Sequence, residues 1–555
     1  MRFLFSFFLL AFSHSAAIAQ NYTNPILAGF YPDPSICRAG DDYYIVNSSF
    51  SYYPGLPIFH SKDLVSWKQI GHAMDRPDQL DLTGAGVSRG LFAPSISFYK
   101  GRFYIVCTLI DRGGNFIITA DNPAGPWSDP VYIKAVNGID PSLFFDERTD
   151  KAYLVYNSVP PDNKTLWNGH RSIRMYELDY KTLQVSGEEK LLVNGGVDVA
   201  KKPVWIEAPH IYHINNWYYL MCAEGGTGYN HSEVIFRSKS VDGPFVPWEK
   251  NPILTQRHLD KSRPDPITTA GHADLVQTAN GKWYAVFLAC RPYKDDMYNI
   301  GRETFLAPVT WTSDEWPVIT SGEETVKYEY PLPMPELNKK PVNSFTGNFE
   351  FKDEFDNEQL NNRFIFLRTV RDNWFNTSTP KGKLTVSLRP ETVSGSGNPS
   401  FVGFRQQHHE AEVSVRMEFS TGSENEKAGL VLFQNEKKFY LLCKSVKSGK
   451  DVVQLFRSLG DSTELLSESV LASTKKELYL RIEPHGDVYG MYFSDDDKSW
   501  NKLGEVDGTI LSTQKAGGFV GCLIAMYATS NGRISSSKAS FDWFRYKGND
   551  AVFRK

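Results

Sequence analysis

Residues 33–46 read DPSICRAGDDYYIV. A proline corner opens a short apolar strand, a polar turn follows, and an aromatic-rich strand closes the unit, which is the length and punctuation of a β-hairpin. Four more stretches repeat it: APSISFYKGRFYIV from Ala93, DPSLFFDERTDKAYLV from Asp140, APHIYHINNWYYL from Ala208 and HADLVQTANGKWYAV from His272. Pro34, Pro94, Pro141 and Pro209, with Ala273 in the fifth copy, stand 9 to 12 residues before Tyr44, Tyr104, Tyr153, Tyr218 and Tyr284.

Each copy is followed by a second polar-aromatic segment, such as HSKDLVSWKQI after the first and VTWTSDEWPVI after the fifth. Two further strands per copy predict a four-stranded antiparallel sheet. The copies recur every 47 to 68 residues, near or above the blade period of a β-propeller. The reading is therefore all-β, with a five-bladed β-propeller over residues 21–330. No stretch there keeps a helical apolar period, which excludes a helical solenoid. The proline-rich polar run at 331–349 predicts a linker. From 350 to 555, alternating strands such as HEAEVSVRMEF, KFYLLCK and ASFDWFRY predict a second all-β unit, a two-sheet sandwich.

The chain has 555 residues, 14% of them aromatic, and a formal net charge of -4 with no basic block. That balance argues against nucleic acid as a partner. Residues 1–20, MRFLFSFFLLAFSHSAAIAQ, combine a basic start, an apolar run and an Ala-x-Ala ending. This is the pattern of a secretory signal, so export to the periplasm or medium is expected. The run is too short to span a bilayer, and no membrane insertion is expected. Cys37, Cys107, Cys222, Cys290, Cys443 and Cys522 stand far apart among apolar neighbours. They read as buried free thiols rather than a disulfide or metal framework.

In a propeller the first strand of each blade lines the central channel, so residues at its start converge although they lie far apart in sequence. The five copies put Asp33, Ala93, Asp140, Glu207 and His272 there, with Glu207 one residue ahead of its corner. An aspartate before proline is often only a turn former. Glu207 is harder to read that way, because VWI predicts a buried strand in which an unpaired charge is costly. Three carboxylates around one mouth suit glycoside hydrolysis. One protonates the leaving oxygen, another activates water or attacks the sugar, and a third raises the acid's pKa by repulsion. A carbohydrate-binding propeller without catalysis is the competing reading, and loss of any of the three acids would favour it.

At these residues the chain resembles glycoside hydrolase family 43, five-bladed propeller enzymes that cleave β-xylosides and α-L-arabinofuranosides with inversion. NPILAGFYPDPSICRAGDDYYIVNSSF, NGIDPSLFFD, WIEAPHIY, GHADLV and IGRETFLAPV carry the resemblance. The later region is similar to the concanavalin-like sandwich at the C-terminus of xylosidase-type members. The resemblance implies Asp33 as general base, Glu207 as general acid, and Asp140 as the residue that orients Glu207 and raises its pKa. It also implies sugar contacts by Arg302 and Phe50. Phe92 stands where relatives commonly carry tryptophan, so the pocket wall keeps an aromatic face without the indole. His272 matches a channel histidine that in some relatives helps to hold a hydrated calcium, with plain hydrogen bonding as its other role. No cofactor is implied as required.

In such relatives the sandwich packs on the propeller and helps to close the pocket, so exo action on non-reducing ends is expected. The expected partner is carbohydrate. The expected activity is release of terminal α-L-arabinofuranosyl residues from hemicellulose such as arabinoxylan or xyloglucan, with β-D-xylosidase or dual activity as the alternative.

Overall fold

The computed structural model describes residues 20–320, 325–337, 344–460, 462–472 and 476–554. Residues 1–19 of the secretory-signal reading and 338–343 of the linker reading lie outside them. Five antiparallel sheets succeed one another along the chain, each with four strands on its main path. We number them blades one to five. Their first strands are Ser35–Ala39, Ser95–Tyr99, Ile139–Asp146, Glu207–Ile214 and Thr268–Gln277. Each pairs with the aromatic-rich strand that follows it in sequence. These second strands lie between neighbouring blades, and Arg102–Leu109 is accordingly buried from Phe103 onward. Burial on both faces explains the unbroken apolar run where a one-sided sheet would alternate.

Hydrogen bonds lace the first strands into a circle. Ser35 Oγ donates to Asp274 Oδ2 at 2.7 Å, joining blade one to five, and accepts from the Ile96 amide at 3.0 Å, joining one to two. Ser97 Oγ donates to the Leu143 carbonyl at 3.4 Å and Ser142 Oγ to the Pro209 carbonyl at 2.5 Å. Tyr212 Oη donates to Asp274 Oδ1 at 2.7 Å and completes the ring from blade four to five. The chain's first described residues seal it. Asn24 Nδ2 donates to the Leu306 carbonyl at 2.8 Å, and Asn21–Thr23 pairs with Glu329–Pro331.

The second unit stacks an eight-stranded on a six-stranded antiparallel sheet. Along Glu477–His485, Leu478, Leu480 and Ile482 are buried at period two, as one face of a strand requires. Its core is continuous with the propeller: Val46, Ile105 and Phe116 of blades one and two share one apolar cluster with Val402, Leu430 and Phe544. Polar contacts fix the alignment. Buried Arg291 donates to Glu303 at 2.6 and 2.9 Å and to Asp550 at 2.7 Å. Gly301 and Gly521 meet backbone to backbone, and a Cβ at Gly521 would lie 2.1 Å from the Ile300 carbonyl oxygen. The segment read as a linker is packed at its ends, where Leu332, Met334 and Phe345 are buried beside Tyr22 and Tyr330. Proline favours extended chain but does not keep neighbouring apolar side chains out of a core.

All six cysteines are buried and free. Among the described residues no helix is long and apolar enough to cross a membrane.

Candidate active site

The repeated corner has an unusual backbone. Asp33, Asp140 and His272 adopt φ of 51°, 51° and 53°, and Ala208 takes the same turn at 50°. The left-handed region costs a residue with a Cβ about 1–2 kcal/mol, and such strain concentrates at functional sites. Pairing of the first strand also shifts between Ile139 and Ser142, between Glu207 and His210, and between Gly271 and Asp274. A bulge of this kind re-aims side chains that would otherwise alternate across the sheet. Blade four puts its strained turn at Ala208, so its carboxylate enters one position earlier, from Glu207.

These corners open into a cavity of about 590 Å³. Asp33, Asp140, Glu207, His272, Phe50, Phe92 and Arg302 all line it, with Ala93 between them. Asp33, Asp140 and Glu207 are 4, 8 and 6% exposed. Arg302 Nη1 donates to Asp33 Oδ1 at 2.7 Å, its Nη2 to Oδ2 at 3.4 Å, and Ser48 Oγ to Oδ2 at 2.5 Å.

Burial favours the protonated form of every carboxyl here. At Asp33 burial is outweighed by the Arg302 guanidinium, His272 and the Ser48 hydrogen bond, which hold the group below its ordinary 3.8. At Asp140 burial and then repulsion from Asp33 push the pKa up to about 7, against the pull of Arg302 and Arg171. At Glu207 burial, then repulsion from Asp140 and Asp33, raise it well above 4.5. One site thus holds an ionised carboxylate and a protonated carboxyl at the same pH, the requirement for paired base and acid work. Burial pushes the His272 pKa down to about 3, leaving a neutral ring whose Nδ1 stands 3.7 Å from Asp33 Oδ1. Among the described residues no set of three or more His, Cys, Asp or Glu side chains is grouped to hold a metal ion.

Residues 22–317 match the family described as Glycosyl hydrolases family 43, and residues 352–547 match the Beta xylosidase C-terminal Concanavalin A-like domain. The chain belongs to glycoside hydrolase family 43. It is 39% identical over 525 residues to a Xylosidase/arabinosidase of Butyrivibrio fibrisolvens, covering 94% of this chain and 98% of that protein. It is 36% identical over 547 residues to the Non-reducing end alpha-L-arabinofuranosidase BoGH43B of Bacteroides ovatus, covering 96% of each. The solved structure Bacteroides ovatus Xyloglucan PUL GH43B superposes with a TM-score of 0.86 at 36% identity, over 96% of this chain and all of the other. As a family 43 member the chain is a glycosidase that hydrolyses O-glycosyl bonds.

Sequence reasoning missed several residues of this family 43 cavity, among them Arg89, Arg171, Trp205, Thr227 and Phe519. Phe519 comes from the sandwich. Its ring stacks on Phe50 with centroids 5.9 Å apart, its amide donates to Ser88 Oγ at 3.0 Å, and its carbonyl accepts from Arg302 Nη2 at 3.4 Å. The flanking run AGGFVG lies outside the five repeated corners. Arg89 pairs with Asp111 through two hydrogen bonds of 2.5 Å and lies 5.6 Å from the Phe92 ring. None of these residues holds a repeated register, and that register was the signal that exposed the three acids.

Proposed function

We propose that this family 43 glycosidase acts from the non-reducing end with inversion. On this reading it releases single α-L-arabinofuranosyl residues from hemicellulose such as arabinoxylan or xyloglucan. Asp33 accepts a proton from the attacking water, Glu207 gives its proton to the leaving oxygen, and Asp140 orients and tunes Glu207. The observation that carries the reading is two buried carboxyl groups that face one cavity in opposite surroundings. Asp33 sits on Arg302, and Glu207 sits beside Asp140. Phe519 supports exo action, because its stack on Phe50 walls one side of the cavity around a terminal sugar.

The names of the Butyrivibrio and Bacteroides relatives support a pentose. The former also keeps β-D-xyloside, or both sugars, as the second reading. Export, read from residues 1–20, suits a substrate met outside the cytoplasm. The test is side-by-side hydrolysis of an aryl α-L-arabinofuranoside and an aryl β-D-xylopyranoside. Higher kcat/KM on the arabinofuranoside supports the first reading, higher kcat/KM on the xylopyranoside the second, and cleavage of neither sinks both.

A further inference from the structure

We propose that Trp205 and Arg171 form the leaving-group subsite, a platform for the pyranose ring on the far side of the scissile bond. This rests on the proposed release of a terminal pentose and names the second half of the same site. Trp205 lines the cavity and is 37% exposed, an unusual state for an indole with a core nearby. Its backbone is held at φ 52°, and its amide donates to the Gly169 carbonyl at 2.8 Å. Gly169 permits that approach, since a Cβ there would lie 2.9 Å from Val204 Cγ1. The protein therefore strains a tryptophan to keep its ring in the cavity.

Arg171 covers one face of the ring, its Cζ 4.6 Å from the centroid. Its Nε and Nη2 both donate to Asn157 Oδ1, at 3.1 and 2.7 Å. Asn157 Nδ2 in turn donates at 2.5 Å to the carbonyl of Ile206, the residue between Trp205 and Glu207. One asparagine thus fixes the platform to the proposed acid. With one face covered, the exposed indole surface is the other face and the edge.

Among the described residues Arg171 has no ion-pair partner and its Nη1 has no hydrogen-bond acceptor, although the side chain lines the cavity. The Cα atoms of Trp205 and Glu207 are at most about 7 Å apart, roughly the reach of one sugar ring. The sugar that receives the Glu207 proton leaves beside these groups. The C–H face of a pyranose matches an electron-rich indole face, and Arg171 Nη1 supplies a donor for one of its hydroxyls.

The test compares kcat/KM for a methyl pentoside, which has no second ring, with that for the same pentose linked to xylobiose. In Trp205→Ala the ratio of oligosaccharide to methyl pentoside falls about tenfold or more, and in Arg171→Met it falls in the same direction. If the alanine variant does not fold, Trp205→Phe with Arg171→Met reads the same ratio. An unchanged ratio in variants that still cleave both substrates overturns the subsite and leaves these residues as supports of Glu207. A wild-type enzyme that cleaves neither substrate overturns the proposed release of terminal pentose instead.

Discussion

Arg302 Nη1 donates to Asp33 Oδ1 at 2.7 Å. The same guanidinium reaches the Phe519 carbonyl through Nη2 at 3.4 Å, so one blade-five residue touches both the proposed base and the sandwich. Charge-assisted bonds of this length are about twice as strong as neutral ones. Arg302 is 5% exposed and Asp33 4%, so water screens the pair little.

Removing that charge should change the acid side of the pH profile. Asp33 lies below 3.8 only because Arg302, His272 and Ser48 outweigh burial. In Arg302→Met burial prevails, the Asp33 pKa rises, and a larger share of the base is protonated at a given low pH. The acid limb of kcat/KM should move up by about one pH unit or more. An unmoved limb in an active variant would place the base elsewhere.

The alkaline limb should answer to Asp140. Glu207 holds its proton through burial and through repulsion from Asp140 and Asp33. Asp140→Asn removes one of those negative charges, so Glu207 loses its proton at lower pH. The limb reports the coupled pair, not either residue alone. It should move down, with kcat/KM at the optimum falling because Glu207 also loses its partner.

Asp140 carries a stability cost that depends on pH. Its folded pKa of about 7 stands above its ordinary 3.8, so the stability it lends is full below 3.8 and is lost as pH rises through about 7. Asp140→Asn removes the titrating group. Melting temperatures measured from pH 4 to pH 8 should show the variant gaining on the wild type as pH rises, then levelling off above about pH 7. A constant difference across that range would contradict the raised pKa.

The sequence carried the architecture further than the site. Five blades were legible because the corner, the polar turn and the aromatic strand are local patterns repeated in one order. Asp33, Asp140 and Glu207 were legible because they occupy equivalent points of that repeat. Phe519 was not: it lies more than 200 residues beyond Arg302 in sequence, and only docking of the two units through contacts such as Gly301 with Gly521 brings it to the mouth. Trp205 stood in the quoted stretch WIEAPHIY without notice, because an aromatic before a strand reads as core until its exposure is seen. Arg171 has no partner beside it in sequence: Asn157 reaches it from the neighbouring strand of blade three, and Trp205 from the segment leading into blade four.

The docking itself can be probed at two positions. Phe519→Ala removes a ring stacked on Phe50 and should raise KM for aryl pentosides about tenfold, with a smaller change in kcat. Gly521→Ala places a Cβ 2.1 Å from the Ile300 carbonyl oxygen. It should lower stability by about 1–3 kcal/mol and raise KM in parallel as Phe519 withdraws. Thermal unfolding and steady-state kinetics read both, and a Gly521→Ala enzyme with wild-type melting would deny the close contact.

Glu207 is proposed as the protonated acid. The leaving-group dependence of Glu207→Gln tests that role, measured as kcat/KM on pentosides with a methyl and with a 2,4-dinitrophenyl group. A leaving oxygen that needs a proton should lose about 10²–10⁴-fold, while the activated phenolate, which leaves without one, should lose far less. An equal loss on both substrates would contradict the assignment.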